Sequence, residues 1–594
     1  MAATLNNYTD SDSSENNSSQ ETYPNWYSPE TGIYYSKHVS LDLPNDPFLD
    51  TVSFIFSHRH NGASALIDSS TGHSISYPEL FSMVKSMAFG LHEMGISQGD
   101  VVLLLIPNSI YYSVVLLGVL YLGAIVTPLN PLSSVSEIRK HIADCDVSLA
   151  FTVPEQVKKL QPSGIPIIEV PENMKDLKHV CFSSFFNLIS GSFDLLSRPV
   201  IKQEDTAAIM YSSGTTGVSK GVVLTHKNLI SMVQLFVRFE ASQHEYSSSK
   251  NVFLAVLPMF HIYGLSLFAI GLLSLGSTVI VLRKFDINEV IKAIDKYKVT
   301  HFPVVPPILT ALTKRLKGSS GSNLQSLIQV SCGAAPLSRK IIEGFVQTLP
   351  HVDFIQQRIR FCVIEPLLSV QTRKTGRPIS NLAFLLVLGY GMTESTAVGT
   401  RGFNTEKFRN YSSIGLLAPN MEAKVVDWNT GSSMPPGSSG ELWLRGPAIM
   451  RGYLNNELAT LSTIDKDGWL RTGDVVYFDQ DGYLYISDRL KDIIKYKGFQ
   501  IAPADLEDVL MWHPEVVDAA VAGVMDEESG EIPVAFVVRK IGSVLSHEAI
   551  MDYVAEQVAP HKKIRKVVFT DSIPRSAAGK ILRRQTRKCL TSKL

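Results

Sequence analysis

Residues Tyr211 to Val223 read Tyr-Ser-Ser-Gly-Thr-Thr-Gly-Val-Ser-Lys-Gly-Val-Val. The hydroxyls of Ser212, Ser213, Thr215 and Thr216 crowd around Gly214 and Gly217, and Lys220 follows one short step later. Glycines let the backbone turn tightly and present its N–H groups to an anion, hydroxyls add neutral donors, and a lysine adds a mobile point charge. The chemistry of such a stretch is phosphate binding. The apolar runs on either side, Ala207 to Met210 and Val222 to Leu224, read as short strands, so the loop is predicted to connect a hairpin. It is not the Gly-x-x-x-x-Gly-Lys-Ser/Thr loop, because the lysine follows the second glycine at the wrong distance and no helix starts there. A stretch of this composition taken alone is more often a plain surface turn.

The elements that must hold this loop follow from the rest of the chain. Its 594 residues exceed what one core supports, so two or more domains are expected. Val101 to Ile106 is an apolar run followed by Pro107 and Asn108, and Ile110 to Val126 is a second. The second approaches the length of a membrane span, but Gly118 and Gly123 interrupt it and Thr127-Pro128 closes it. Strand, buried helix and strand is the better parse, and no membrane span is expected. The alternation recurs at Asp146 to Phe151 and Ile165 to Val170, which predicts α/β architecture with a largely parallel sheet.

The formal net charge of -1 leaves no electrostatic footprint for nucleic acid. Five cysteines, Cys145, Cys181, Cys332, Cys362 and Cys589, are scattered without metal spacing, which argues for a reducing compartment, no disulfide framework and no zinc site. The first forty residues lack the pattern of a secretory signal. The C-terminal Ser592-Lys593-Leu594 is the tripeptide read by the peroxisomal import receptor, so a peroxisomal location is expected.

Further motifs lie downstream of the loop. An apolar strand from Asn251 ends in Pro-Met-Phe-His261-Ile-Tyr263-Gly, helical spacing follows from Leu265 to Leu275, and Ser277 to Leu282 reads as a strand stopping before Lys284. Val299 to Leu309 is a strand leading into a Pro-started helix, and the small residues of Ser331-Cys332-Gly333-Ala334 leave room for a flat ring against the backbone. Cys332 reads as an inert buried thiol. Ser413 to Gly415 and Gly440 to Pro447 read as strands of a small β region. The string Gly468 to Asp474 places a carboxylate after a tight turn, suited to holding two vicinal hydroxyls. From Pro503 the order is helix, strand, strand, helix, strand, closing on the glycine loop that carries Lys580.

Taken as an ordered set, Tyr-Ser-Ser-Gly-Thr-Thr-Gly-x-x-Lys-Gly, His-Ile-Tyr-Gly, Gly-Tyr-Gly-Met-Thr-Glu, Gly-Trp-Leu-Arg-Thr-Gly-Asp, Ser-Asp-Arg-Leu-Lys-Asp and the terminal Gly-Lys resemble the acyl-adenylate-forming superfamily. Nearest in these strings is its plant 4-coumarate:CoA ligase-like group. The resemblance spans roughly residues 53–584. It implies a large N-terminal domain of mixed, mostly parallel sheets with a small β region, followed by a small mobile α+β C-terminal domain. The expected boundaries are a flexible segment 1–45, an adenylation domain 46–488, a swinging domain 489–591 and the targeting tripeptide 592–594.

The chemistry it implies is attack of a small-molecule carboxylic acid on ATP carried with Mg²⁺, with no direct protein ligation of the metal, then transfer of the acyl group to CoA. By the same resemblance the nucleotide meets Ser212, Ser213, Gly214, Thr215, Thr216, Lys220, Gln356, Gly389, Thr393, Asp474, Arg489 and Lys580. The acyl-adenylate lies along His261, Tyr263, Ala334, Lys491 and Lys495, and CoA meets Lys284, Lys497 and Gly498. Catalytic parts fall to Lys580, Lys491 at the hinge, His261 and Thr393. The peroxisomal terminus favours fatty or jasmonate-precursor acids over hydroxycinnamates. Luciferase chemistry within the same superfamily is a rival that oxygen-dependent light emission would reveal.

One segment departs from the pattern. In relatives a strand such as Val352 to Gln356 passes directly into Gly389-Tyr-Gly-Met-Thr-Glu394, whereas here residues 357–388 intervene and their removal restores the family string. Such an insertion, ending in the apolar run Leu382 to Leu388, reads as a splice variant translated through an intron. It separates Gln356 from Gly389 in a wall of the nucleotide site, so a catalytically impaired product that keeps only binding is the alternative.

Overall fold

The computed structural model describes residues 23–57, 60, 64–172, 182–191, 198–212, 220–242, 251–317, 324–333, 344–345, 347–349, 352–356, 386–404, 413–490, 492–496, 499–526, 529–558, 560–575, 581–583 and 585–587. Of the predicted site residues, Ser213, Gly214, Thr215, Thr216, Ala334, Lys491, Lys497, Gly498 and Lys580 lie outside them, as do the terminal tripeptide and most of the 357–388 segment.

Strand Val101–Leu105 is buried along its whole length. A strand covered on both faces belongs in the middle of a parallel sheet. It lies between the parallel strands Ile125–Pro128 and Val147–Thr152, with Ile167–Glu169 beyond, and Thr206–Ser212 joins next to Ile125–Pro128. The connection from Val101–Leu105 is helix Ile110–Tyr121, capped by Ser109, whose hydroxyl accepts from the Tyr111 amide. Gly118 lets this helix press on helix Tyr77–Glu93, since a Cβ there would stand 2.4 Å from Met87 Cγ. No helix among the described residues is long and apolar enough to cross a membrane.

A second sheet of seven described strands carries Asp353–Gln356, Gln329–Cys332, His301–Val304, Val252–Ala255 and Thr278–Val281 in that order, all parallel, with an antiparallel pair at its far edge. A six-stranded antiparallel sheet includes Gly440–Arg445, Leu470–Phe478 and Leu484–Arg489. Strands Leu386–Tyr390, Thr400–Asn404 and Leu416–Leu417 form a small three-stranded antiparallel sheet. The C-terminal strands, with Gly530–Arg539 at their centre, enclose an apolar cluster of their own around Leu506, Val521, Val537 and Ile550.

Two sequence expectations change in detail. Ser413 to Gly415 is not a strand; the short strand begins at Leu416. The helical stretch after Gly264 runs as a π-turn segment from Leu265 to Gly271 and then a 3₁₀ turn to Leu275, because spacing alone does not distinguish helix types. As expected, Asp474 follows a tight turn, the one at Asp465 to Gly468, and it lies inside strand Leu470–Phe478.

His226, at the start of helix His226–Met232, is fully buried, and its Nδ1 accepts from the Thr51 amide at 3.2 Å. Burial pulls its pKa down to about 4. An unfolded histidine takes a proton near pH 6.5, so between about pH 6.5 and pH 4 the unfolded chain binds more protons and stability falls as pH falls. Between about pH 7 and pH 5 this one group should remove about 2 kcal/mol. The thermal midpoint of His226→Gln should therefore drop less on acidification than that of the parent chain. An equal drop in both would show that His226 is not the responsive group.

Candidate active site

The strands flanking the hydroxyl-rich loop pair antiparallel, Lys220 opposite Ser212 and Val222 opposite Met210, so the predicted hairpin is present. Gly452–Tyr453 adds on the other side of Lys220–Thr225. This places the Tyr453 ring under Lys220, whose Nζ stands 4.6 Å from the ring centroid. The Tyr453 hydroxyl donates to Glu394 Oε1 at 3.1 Å, and Glu394 is buried in the turn Thr393–Ser395. The same turn packs on strand Thr206–Ser212.

From Glu394 the site continues to a buried carboxylate. Asp474 is only 3 % exposed and pairs across the sheet with Arg489, whose Nε lies 3.1 Å from Asp474 Oδ1. The Tyr390 hydroxyl donates to Asp474 Oδ2 at 2.5 Å. The Asp474 charge is the main cause that raises the Arg489 guanidinium further, with Glu394 adding to it, while burial and Asp474 hold the Tyr390 phenol well above its usual range. Each carboxylate oxygen accepts more than one hydrogen bond, so Asp474 retains capacity for two hydroxyl donors. Two runs of contacts, Lys220–Tyr453–Glu394 and Tyr390–Asp474–Arg489, are thus joined through the backbone between Tyr390 and Glu394, which brings hairpin, turn and antiparallel sheet together.

His261 caps the short helix Ile262–Gly264, its Nδ1 accepting from the Tyr263 amide at 3.4 Å. Asn108 fixes the loop before it, accepting from the Met259 amide and donating to the Leu257 carbonyl, both at 2.9 Å. Gly264 is required there, since a Cβ would lie 2.1 Å from the Pro258 carbonyl oxygen. Tyr263 hydrogen-bonds Ser331 beside Cys332, whose buried thiol is pushed up and stays neutral. Strand Asp353–Gln356 pairs with Gln329–Cys332 and lies beside Leu386–Tyr390, so Gln356 and Gly389 sit on neighbouring strands despite the residues between them.

Lys284 is exposed beyond the end of strand Thr278–Val281, and Lys495 is exposed on strand Ile494–Tyr496 with its amide donating to Glu531. Neither is drawn into the contacts around Glu394 or Asp474. Sequence reasoning missed Tyr390, Glu394 and Tyr453. The first two stand inside the quoted Gly-Tyr-Gly-Met-Thr-Glu string, whereas no local signal marks Tyr453. Among the described residues no group of three or more His, Cys, Asp or Glu is placed to hold a metal ion.

A parallel α/β body, a hairpin and a buried carboxylate reached by a tyrosine and an arginine suit a nucleotide-using, adenylate-forming ligase. The AMP-binding enzyme family matches residues 55–357 and 370–454, and its C-terminal domain matches 505–580. The chain belongs to this family and, within it, to the 4-coumarate:CoA ligase-like group. It is 57 % identical to 4-coumarate–CoA ligase-like 6 of Arabidopsis thaliana over 97 % of this chain and 96 % of that one. It is 44 % identical to the peroxisomal OPC-8:0-CoA ligase 1 of the same plant, over 94 % and 96 %. Among solved structures, o-succinylbenzoate CoA synthetase of Bacillus subtilis in complex with its acyl-adenylate intermediate superposes with a TM-score of 0.72 at 25 % identity, covering 91 % of this chain and 98 % of that one.

Proposed function

We propose that the chain joins a carboxylic acid to CoA in two steps, forming an acyl-adenylate and releasing pyrophosphate, then passing the acyl group to the CoA thiol and releasing AMP. The observation that carries this reading is the short segment Tyr390 to Glu394, which contacts Tyr453 beneath Lys220 of the hairpin at one end and Asp474 at the other. Its two ends suit the two ends of one nucleotide: the hairpin with Ser212, Ser213, Gly214, Thr215 and Thr216 takes the phosphates, and Asp474 with Arg489 takes the ribose hydroxyls. Oxygen donors, the hairpin hydroxyls and the buried Glu394 carboxylate, fit a hard cation, so Mg²⁺ would enter with ATP. Bound there, it would neutralise charge on the leaving pyrophosphate.

Lys580 stabilises the reacting carboxylate and α-phosphate in the first step. Rotation about Lys491 then exchanges it for the face carrying Lys495, Lys497 and Gly498, with Lys284 and Lys497-Gly498 meeting CoA. The substrate is a fatty, jasmonate-precursor or hydroxycinnamate-like acid, supported by the named relatives. Peroxisomal location is supported by Ser592-Lys593-Leu594 and by the peroxisomal relative. A fluorescent fusion lacking these three residues should become cytosolic, and unchanged punctate signal would refute the assignment.

A second reading, an impaired splice product, is favoured by the break in the family match at residues 358–369. Against full loss stands the adjacency of strands Asp353–Gln356 and Leu386–Tyr390, which lets the segment leave and re-enter at one place. Acid-dependent ATP–pyrophosphate exchange, compared between the full chain and a form lacking 357–388, tests both. We expect exchange in both forms and faster exchange after excision. Exchange in neither would overturn the ligase reading, and exchange only after excision would establish the impaired product.

A further inference from the structure

Strand Leu470–Phe478 does not run evenly past Gly440–Arg445. Trp443 pairs with Arg471 and Glu441 with Val475, so the single residue Leu442 stands against Thr472, Gly473 and Asp474. Such a bulge breaks the regular alternation of side chains, and beside a site it re-aims a residue. The residue re-aimed here is Asp474. Gly473 makes the bulge possible: its φ is +69°, and no atom beyond its chain neighbours lies within 4 Å of where a Cβ would stand. The glycine is there for its backbone conformation and not for space.

A bulge interrupts the ladder, and its amides need other acceptors. Two side chains supply them. The Thr472 hydroxyl accepts from the Asp474 amide at 3.1 Å and donates to the Leu442 carbonyl at 2.7 Å. Glu441 reaches across from the neighbouring strand, its Oε1 accepting from the Gly473 amide at 3.1 Å. Its Oε2 accepts from Trp443 Nε1 at 2.9 Å, and the Arg471 guanidinium lies 4.7 Å from the centre of the Trp443 ring. Glu441 is half-buried, and both of its oxygens face N–H donors. A carboxylate satisfies both; an amide in its place would turn its NH₂ group onto one of them.

We propose that Glu441 is a positioning residue for nucleotide binding: by holding the Gly473 amide it fixes the bulge, and the bulge aims the Asp474 carboxylate at the ribose hydroxyls. This rests on the ligase reading and on the ribose role proposed for Asp474. Glu441 acts through the backbone of its neighbour and not by touching the nucleotide.

The test compares ATP with 2′,3′-dideoxy-ATP in acid-dependent ATP–pyrophosphate exchange by the full chain, with a straight-chain fatty acid and a hydroxycinnamate offered in parallel. The parent should favour ATP by about a hundredfold in kcat/KM, the share carried by two hydroxyls on Asp474. Glu441→Gln should cut that preference about tenfold through a higher KM for ATP, while kcat/KM for the dideoxy nucleotide and KM for the acid stay as in the parent. Loss of a negative charge would by itself favour an anionic nucleotide, so weaker ATP use marks lost geometry. Trp443→Phe removes the second donor. Alone it should leave the preference intact, and combined with Glu441→Gln it should restore it, since the amide can then give its oxygen to Gly473. A loss shared equally by ATP and dideoxy-ATP in Glu441→Gln, an unchanged preference, or no recovery in the double variant would overturn the proposal. Should Glu441→Gln not fold, Glu441→Asp, whose shorter side chain draws the carboxylate back from Gly473, takes its place with the same expected loss. No exchange by the parent with either acid would instead count against the ligase reading.

Discussion

Lys580→Ala is expected to lower acid-dependent adenylate formation by about 10²- to 10³-fold while thioester formation from a preformed acyl-adenylate proceeds at close to the parent rate. The expected effect is electrostatic. In the first step negative charge gathers between the attacking carboxylate and the α-phosphate, and a positioned ammonium lowers that barrier without covalent chemistry. In the second step the adenylate is already made and the lysine has no charge to meet. On either side of the Lys580 segment, Arg575 bridges Ile581 and the Leu582 amide donates to the Pro574 carbonyl at 2.9 Å. Arg583 then anchors the chain beyond, buried among Glu507, Asp488 and Asp492. Loss of both half-reactions in equal measure, read by pyrophosphate exchange and by thioester formation from synthetic adenylate, would contradict the role.

Asp474→Ala should weaken ATP use by about a hundredfold in kcat/KM. A buried carboxylate holding two ribose hydroxyls contributes charged hydrogen bonds that alanine cannot replace. The change also strips Arg489 of its partner and leaves the Tyr390 hydroxyl without its acceptor, so stability should fall by about 1–3 kcal/mol. Arg489 is nearly a third exposed, which keeps that loss below the range for a fully buried pair. Asp474→Asn retains an acceptor of the same shape and should recover part of both. Titration with a fluorescent ATP analogue checks the first effect and thermal unfolding the second. Unaltered nucleotide affinity in a folded Asp474→Ala protein would remove Asp474 from the ribose site.

The hairpin was legible because its signal is local: hydroxyls, glycines and a lysine between two apolar runs. The parallel body was legible for the same reason, since Val101 to Val126 writes strand, helix and strand without help from distant residues. What escaped depends on contacts that spacing cannot express. Tyr390 reaches Asp474 across 84 residues, and Tyr453 joins Lys220 to Glu394 only because a two-residue strand happens to add to the hairpin. The string Gly468 to Asp474 marks a carboxylate after a tight turn, but not its burial in a strand, which is what makes it a fixed acceptor.

The central claim is that the acid's own oxygen attacks the α-phosphorus of ATP. Supplying the acid with ¹⁸O in its carboxylate, letting the protein turn over with ATP, Mg²⁺ and CoA, and analysing the phosphorus products by mass spectrometry tests it directly. One heavy oxygen should appear in AMP and none in pyrophosphate. Label in inorganic phosphate together with ADP would mean attack at the γ-phosphorus, and AMP free of label in the presence of acyl-CoA product would mean that no acyl-adenylate was formed.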